Sequence, residues 1–584
     1  MWEEKNKNGL YLNSKFRINN LDYLYLDKSD SKECFSAIKI ILRLGKKYNY
    51  HSIEKIIILF EETSQCIDSF IDKLKAENKK FGQLEKFNAE IKKNDFKRSC
   101  DFASGALKEI IELNSKYNSK DDRTGSYVID DYSHIIASSS FRRLQDKAQV
   151  YSLESRDFAR SRLTHSNEVS SNCELISSYI NYLDLYKNYK ITPQNNSFNE
   201  DIMLIVRCAG LLHDIGNPPF GHFGEKVIRD FFSHEYKNEF TKRGIFEDSQ
   251  LYKDFIKFDG NAQALRIATK LQYFGRKKGL CLTSSVLGSI IKYPFDSTYG
   301  EHKKMGYFYS EREIINKLSI CGVYKEYIRN PLALILEAAD DISYLTADLE
   351  DAIHKGIIGI DDFIKYEDKK DSKVFDLINK IEKYYNDNIE IYKYFLNSKS
   401  IFEKTMRSII ADIRHDLIED AANTFINNKN RIFTEGVFFV PEKNNKFEIL
   451  KNLNEYGPIV NMIENIMKKV FKDETVIMSE IKGYEILKYL LNRFCEAVKD
   501  STPDFVKRVL KSDNNYYQHL LSLISKDFIS NFFDELDDEG VQIDNKNVQN
   551  DNIIFYYKMR LVVDFISGMT DNFAKDLYNS MIGK

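Results

Sequence analysis

The stretch Leu211 to Glu225, LLHDIGNPPFGHFGE, carries the densest set of reactive side chains in the chain. An apolar helical run from Ile202 through Leu212 delivers the adjacent His213 and Asp214 at its end. The chain then turns through Gly216-Asn217-Pro218-Pro219, and His222 and Glu225 follow three residues apart as a new helix begins. Four groups able to bind metal or move protons thus fall within thirteen residues. A His-Asp dipeptide alone recurs by chance, and this chain contains its own control. His415-Asp416 is the same dipeptide in IRHDLIED, a polar amphipathic stretch with no glycine turn and no second histidine behind it. The first pair is read as a site and the second as a solvated helix face.

Further groups can complete the cluster. In SLESRDFARSRLTHSNEV, His165 follows Arg162 by three residues, so both project from one side of a helix that has started by then. A lone histidine there is ordinarily structural; the downstream cluster, still short of ligands, is what raises it. In PLALILEAADDISYLTADLEDAIHKG, Asp340, Tyr344 and Asp348 fall at i, i+4 and i+8 and share one helix face. The lead-in from Leu332 to Ala339 is too apolar to be exposed, which makes Asp340 more than part of an acidic solvated stripe. In FRRLQDKAQV, arginines 142 and 143 could clamp phosphate and Gln145, one turn before Gln149, could read a base edge, although composition alone favours a surface helix. Lys292 and Tyr293 stand just before Pro294 ends a helix, where a lysine is either a solvated helix-end charge or a phosphate contact.

His165, His213, Asp214 and Asp340 make a mixed nitrogen and oxygen set for one divalent metal of intermediate softness, with positions left for water and a substrate oxygen. No cysteine lies in the motif, which argues against a structural zinc site. His222 and Glu225 suit a pair in which the carboxylate orients an imidazole that acts as general acid or base. Arg162 and Lys292 would add positive charge for a polyphosphate. The residues by themselves point to a metal-assisted phosphoester hydrolase and leave open which phosphorus is attacked.

These groups need a helical frame, and the composition supplies one. With 584 residues, only 25 Gly and 8 Pro, and abundant Leu, Ile, Lys and Glu, the chain is expected to be all-α, with two or three domains or one core with large helical extensions. No apolar run approaches a membrane span and the first ten residues lack the build of a signal peptide. Eight cysteines without a CxxC read as reduced thiols, so a cytoplasmic location is expected. A net charge of −3 gives no global attraction to nucleic acid. Residues 1–120 read as a lysine-rich helical N-terminal extension with no catalytic constellation, 121–365 as the catalytic core, and 366–584 as a helical region completing the substrate site and oligomer contacts. Within the core, Asp259 or Asn261 can cap a helix; near the C-terminus, Thr570-Asp571 can cap another.

From about Arg123 to the C-terminus the chain resembles the HD-domain superfamily, and within it the deoxyguanosine triphosphate triphosphohydrolase (dGTPase) family. The matching pieces occur in the family's order: FRRLQDKAQV, RSRLTHSNEV, LLHDIGNPPFGHFGE, FDGNAQALRI, IKYP, EAADDISYLTADLEDAI and RLVVDFISGMTDNFA. The resemblance implies a helical fold and hydrolysis of dGTP, or other dNTPs, at the α-phosphate to a deoxynucleoside and intact triphosphate. It implies one divalent metal, Mg²⁺ or Mn²⁺ first and Fe²⁺, Co²⁺ or Zn²⁺ as alternatives, on His165, His213, Asp214 and Asp340. His222 and Glu225 match the catalytic pair. Gln145 falls where the family contacts base and sugar; Arg162, Lys292 and Tyr293 where it holds phosphates; Tyr344 and Asp348 where it packs on and hydrogen-bonds the deoxyribose. Family members are commonly homo-oligomers, often hexamers, and some respond to single-stranded DNA or to nucleotide effectors. The departure is the N-terminal 120 residues, which match nothing in the family's pattern. Two other readings are an HD phosphohydrolase acting on a nucleoside monophosphate or nucleic-acid end, and a non-catalytic nucleotide- or DNA-sensing module. The Gln145, Lys292-Tyr293 and Tyr344-Asp348 pieces count against the first, and the intact His222-Glu225 pair against the second.

Overall fold

The computed structural model describes residues 127–149, 151, 160–182, 197–274, 277–300, 304–366, 371–429, 431–432, 437–438, 447–509, 515–541 and 551–583. The expected N-terminal extension, 1–120, lies outside the described residues. By contacts the chain divides into two units, the larger made of 127–192, 202–314 and 326–584. The described residues of the smaller are 197–201 and 315–325, helical at 197–201 and 315–320.

The fold is all-α, as expected. Among the described residues the strands are four two-residue pieces, pairing Tyr273–Phe274 with Lys277–Lys278 and Ile328–Arg329 with Val437–Phe438, both antiparallel. The elements that matter for the site are α1 (Arg162–Tyr182), α2 (Ser197–Leu212), α3 (Gly221–Asp230), α4 (Gly260–Arg266), α5 (Pro331–Lys355), α6 (Ser398–Asn427), α7 (Glu474–Val498), α8 (Asp551–Ser567) and α9 (Asp571–Ile582).

Local sequence explains where these helices start and stop. The Asn330 side chain accepts from Leu332 N at 2.9 Å, Pro331 occupies the first turn, and Gly356 at φ 80° ends α5. Of the two expected caps before α4, Asp259 is the one used, accepting from Asn261 N at 2.9 Å. Thr570 caps α9. Helices α1, α5 and α6 pack on one another, and α3, α7 and α8 form a second group.

The second group holds one hydrophobic core of the larger unit. Helix α8 is buried on every side from Ile554 to Ser567, so it is a core helix rather than an amphipathic cover. Fully burying each of its large apolar side chains is worth roughly 1.5–3 kcal/mol. The carboxylate inside it is paired. Asp564 takes Arg266 of α4 through three contacts of 2.7–3.0 Å, and Arg266 also reaches Glu535 at 2.7 Å and Glu311 at 2.9 Å. Burial pushes the Asp564 carboxyl up, but Arg266 and Arg560 outweigh it and hold it low. The FDGNAQALRI and RLVVDFISGM motifs, almost 300 residues apart, are thereby joined at the level of charge.

Candidate active site

His213 stands just past the end of α2, where its backbone N–H still reaches Ala209 O at 3.0 Å. Its Nδ1 donates to Gly210 O at 2.7 Å, which leaves Nε2 with a lone pair. That lone pair lies 3.5 Å from Asp214 Oδ1 and 3.5 Å from Asp340 Oδ1. His165, on the first turn of α1, brings Nε2 to 3.2 Å from the same Asp340 oxygen, and the two imidazoles meet edge to face at 5.3 Å. Ligand atoms of His165, His213 and Asp340 all lie within 4.8 Å of one another, the only such group of three among the described residues.

Asp214 completes the wall of the cluster while each of its oxygens receives a donor. Oδ2 accepts from Arg162 at 2.7 Å, and Oδ1 accepts from the Asn217 amide. Burial pushes its carboxyl up, but Arg162, His213 and His165 more than reverse that. The same holds for Asp340: against the upward push of burial, His213, the His165 hydrogen bond and Lys292 keep it well below the usual carboxylate range. Burial alone would lower His165, and the hydrogen bond to Asp340 raises it instead. The buried His213 Nε2 has no hydrogen-bond partner and faces two carboxylate oxygens at 3.5 Å. A divalent cation resolves that arrangement, so the residues present fit one.

A sharp turn carries the chain from this cluster to α3. Phe220 at φ 62° and Gly221 at φ 59° are successive left-handed residues, and a Cβ on Gly221 would strike the Arg162 guanidinium. On α3, Glu225 is buried and accepts from Gly260 N at 2.8 Å, with His222 Nδ1 at 3.3 Å and Arg229 at 3.4 Å. Burial pushes its carboxyl up, but His222, Lys304 and Arg229 hold it down at about 2. The hydrogen bond to Glu225 in turn raises the His222 imidazole, whose side chain is 77% exposed. A buried, ionised carboxylate thus orients an imidazole whose Nε2 is open to a substrate.

The other expected contacts divide. Asp348 is buried, with neither carboxylate oxygen paired, and burial reinforced by Asp351 pushes it up to about 8. It is therefore largely a neutral acid at pH 7, able to donate as well as accept. Tyr344, about three turns from the end of α5, has its ring partly exposed beside it. Lys292 reaches Glu337 at 3.6 Å, and Tyr293 is buried next to it. Arg162 is engaged by Asp214, which makes it a brace of the cluster as much as a phosphate contact. Gln145 is exposed in a single 3-10 turn, whereas Gln149 holds a buried Oε1 without a partner. Arg142 and Arg143 bind main-chain carbonyls of Ala137 and Gly568.

Sequence reasoning missed Lys304. Its Nζ lies 3.1 Å from Asp259 and 5.8 Å from the Tyr293 ring centre, and its charge helps to depress Glu225. It comes from EHKKMGYF, where adjacent lysines gave no signal beyond a solvated charge.

A model of the HD domain matches residues 162–280. The chain is 33% identical over 485 residues to the deoxyguanosinetriphosphate triphosphohydrolase-like protein of Listeria monocytogenes, covering 80% of this chain and 96% of that protein. It is 30% identical over 502 residues to the deoxyguanosinetriphosphate triphosphohydrolase of Salmonella arizonae, covering 77% and 92%. The chain belongs to the deoxyguanosinetriphosphate triphosphohydrolase family. As a family member with an HD domain it is a phosphohydrolase. The HD match takes in His165, His213, Asp214, His222 and Glu225 and stops short of Lys292 and Asp340. No helix among the described residues is long and apolar enough to cross a membrane.

Proposed function

We propose that the chain hydrolyses dGTP, and other dNTPs to a degree set by its base contacts, at the α-phosphate to release deoxynucleoside and inorganic triphosphate. The observation that carries this reading is the facing of His213 Nε2 and two carboxylates at 3.5 Å, in a domain that also presents an exposed His222 backed by buried Glu225. His165, His213, Asp214 and Asp340 would hold one divalent ion, Mg²⁺ or Mn²⁺, which would supply Lewis-acid chemistry to a phosphoryl oxygen and a water. His222 moves a proton at Nε2 while Glu225 stabilises the imidazolium through Nδ1. Lys292, Tyr293 and Lys304 offer cations and a hydroxyl to the phosphates, and Asp348 with Tyr344 takes the sugar. The relatives' names supply dGTP as the first substrate to test. The same reading makes the protein a cytoplasmic homo-oligomer open to a nucleotide or single-stranded DNA effector.

The test is product analysis with Mg²⁺ or Mn²⁺ and each dNTP separately, resolved by anion exchange. Deoxynucleoside with intact triphosphate is expected, fastest from dGTP. Orthophosphate or pyrophosphate as the product would overturn attack at the α-phosphate.

A further inference from the structure

Both donors that hold the Asp214 carboxylate trace back to one residue outside the metal cluster. The main-chain O of Lys147 accepts from Arg162 N at 2.8 Å, next to the isolated bridge between Ala148 and Ser161. Arg162 in turn donates to Asp214 Oδ2 at 2.7 Å. The side chain of Lys147 runs the other way and donates from Nζ to Asn217 O at 2.5 Å. Asn217 is the residue whose amide donates to Asp214 Oδ1. Lys147 is buried to 2% exposure and stands 67 residues before Asp214 in sequence, so nothing local requires this geometry.

The C-terminal end of the chain locks Lys147 in place. Its Nζ makes a second bond, to Ser567 O at 2.9 Å, where α8 ends. Asp571, at the start of α9, accepts from Ala148 N at 3.1 Å through one oxygen and from Phe220 N at 3.0 Å through the other. Phe220 is the left-handed residue that opens the turn into α3, so one carboxylate fixes both the Lys147 strand and the approach to His222 and Glu225. A carboxylate between two backbone N–H groups, with a lysine amine between two carbonyls beside it, forms a polar clamp.

We propose that Lys147, locked by Ser567 and Asp571, is a positioning residue that fixes both donors to the Asp214 carboxylate and thereby sets metal affinity. The inference rests on the reading of Asp214 as a metal ligand. Groups behind a metal ligand characteristically change metal affinity by roughly 10–100-fold when removed. A lysine so enclosed also has an internal control. Lys558 on α8 is equally buried and donates to Asp500 O at 2.8 Å, but it touches nothing in the cluster.

The experiment compares Lys147→Met with Lys558→Met in the full chain, reading Mn²⁺ affinity by calorimetry, melting temperature without metal, and kcat and KM for dGTP. Both variants are expected to melt earlier than the parent. Only Lys147→Met is expected to bind Mn²⁺ about 10–100-fold more weakly and to lose kcat with little change in KM. Parent-like Mn²⁺ affinity in a folded Lys147→Met protein overturns the proposal, and so does an equal loss in Lys558→Met. Should Lys147→Met not fold, Asp571→Asn replaces it: weaker Mn²⁺ binding supports the clamp and unchanged binding overturns it. A parent protein that binds Mn²⁺ but releases no triphosphate defeats the proposed substrate reading, while the calorimetric comparison still decides the clamp.

Discussion

Two His-Asp dipeptides occur in this chain, and the fold gives them opposite fates. His415 and Asp416 lie inside α6, where consecutive residues point about 100° apart and cannot converge on one ligand. His415 is exposed, with only the edge of Tyr179 at 6.0 Å, and Asp416 turns instead toward Tyr456. His213 and Asp214 come just after α2 has ended, so the chain can fold back and bring both side chains to one point. Two elements then arrive to meet them, α1 with His165 and α5 with Asp340. The first dipeptide is a candidate site because a helix stops there, and because distant helices bring the other candidate ligands to it.

The largest expected effect tests that contrast directly. His213→Ala or Asp214→Asn is expected to lose turnover by about 10³-fold or more together with metal binding, whereas His415→Ala and Asp416→Asn stay within about twofold of the parent in both. Metal content after dialysis and steady-state rates measure it; a comparable loss in the α6 pair would erase the distinction. Next in size is His222→Ala, expected to lower kcat by about 10²–10⁴-fold while Mn²⁺ affinity is retained. Calorimetry beside kinetics separates proton transfer from metal binding, and a metal-free His222→Ala protein would place His222 among the ligands. The smallest effect is a displacement in pH. The Glu225 carboxylate raises the His222 imidazole, so Glu225→Gln is expected to lower it. A base that must be unprotonated then becomes active at lower pH, and the acid limb of kcat/KM moves toward acid. An acid limb that stays in place would assign it to another group.

Much of this was legible in the sequence because helical spacing and the HD motif are local signals. The register of Asp340, Tyr344 and Asp348 follows from i, i+4, i+8, and Asn330-Pro331 and Gly356 mark the ends of the helix that carries them. The glycine and proline turn after Asp214 announced a change of direction. What stayed hidden depends on partners hundreds of residues away. Arg162 looked like a phosphate clamp because its spacing to His165 was visible and its bond to Asp214 was not. Lys304 had no local pattern to distinguish it from a solvated lysine. Arg266 and Asp564 sat within recognisable motifs, yet only the packing of α4 on α8 shows that each is there for the other.

The wholly buried α8 and the contacts of Ser567 and Asp571 have a consequence for how the molecule comes into being. A chain made from its N-terminus exposes Asp340, the last of the proposed ligands, some 230 residues before Asp571, which at about 5–20 residues per second is roughly 12–46 s of synthesis. Throughout that interval the ligands exist but the segment that seats Lys147, Phe220 and Arg266 does not. A nascent chain that stops short of the final two helices would therefore carry every proposed metal ligand without the frame that aligns them, and the proposed hydrolysis would await those helices.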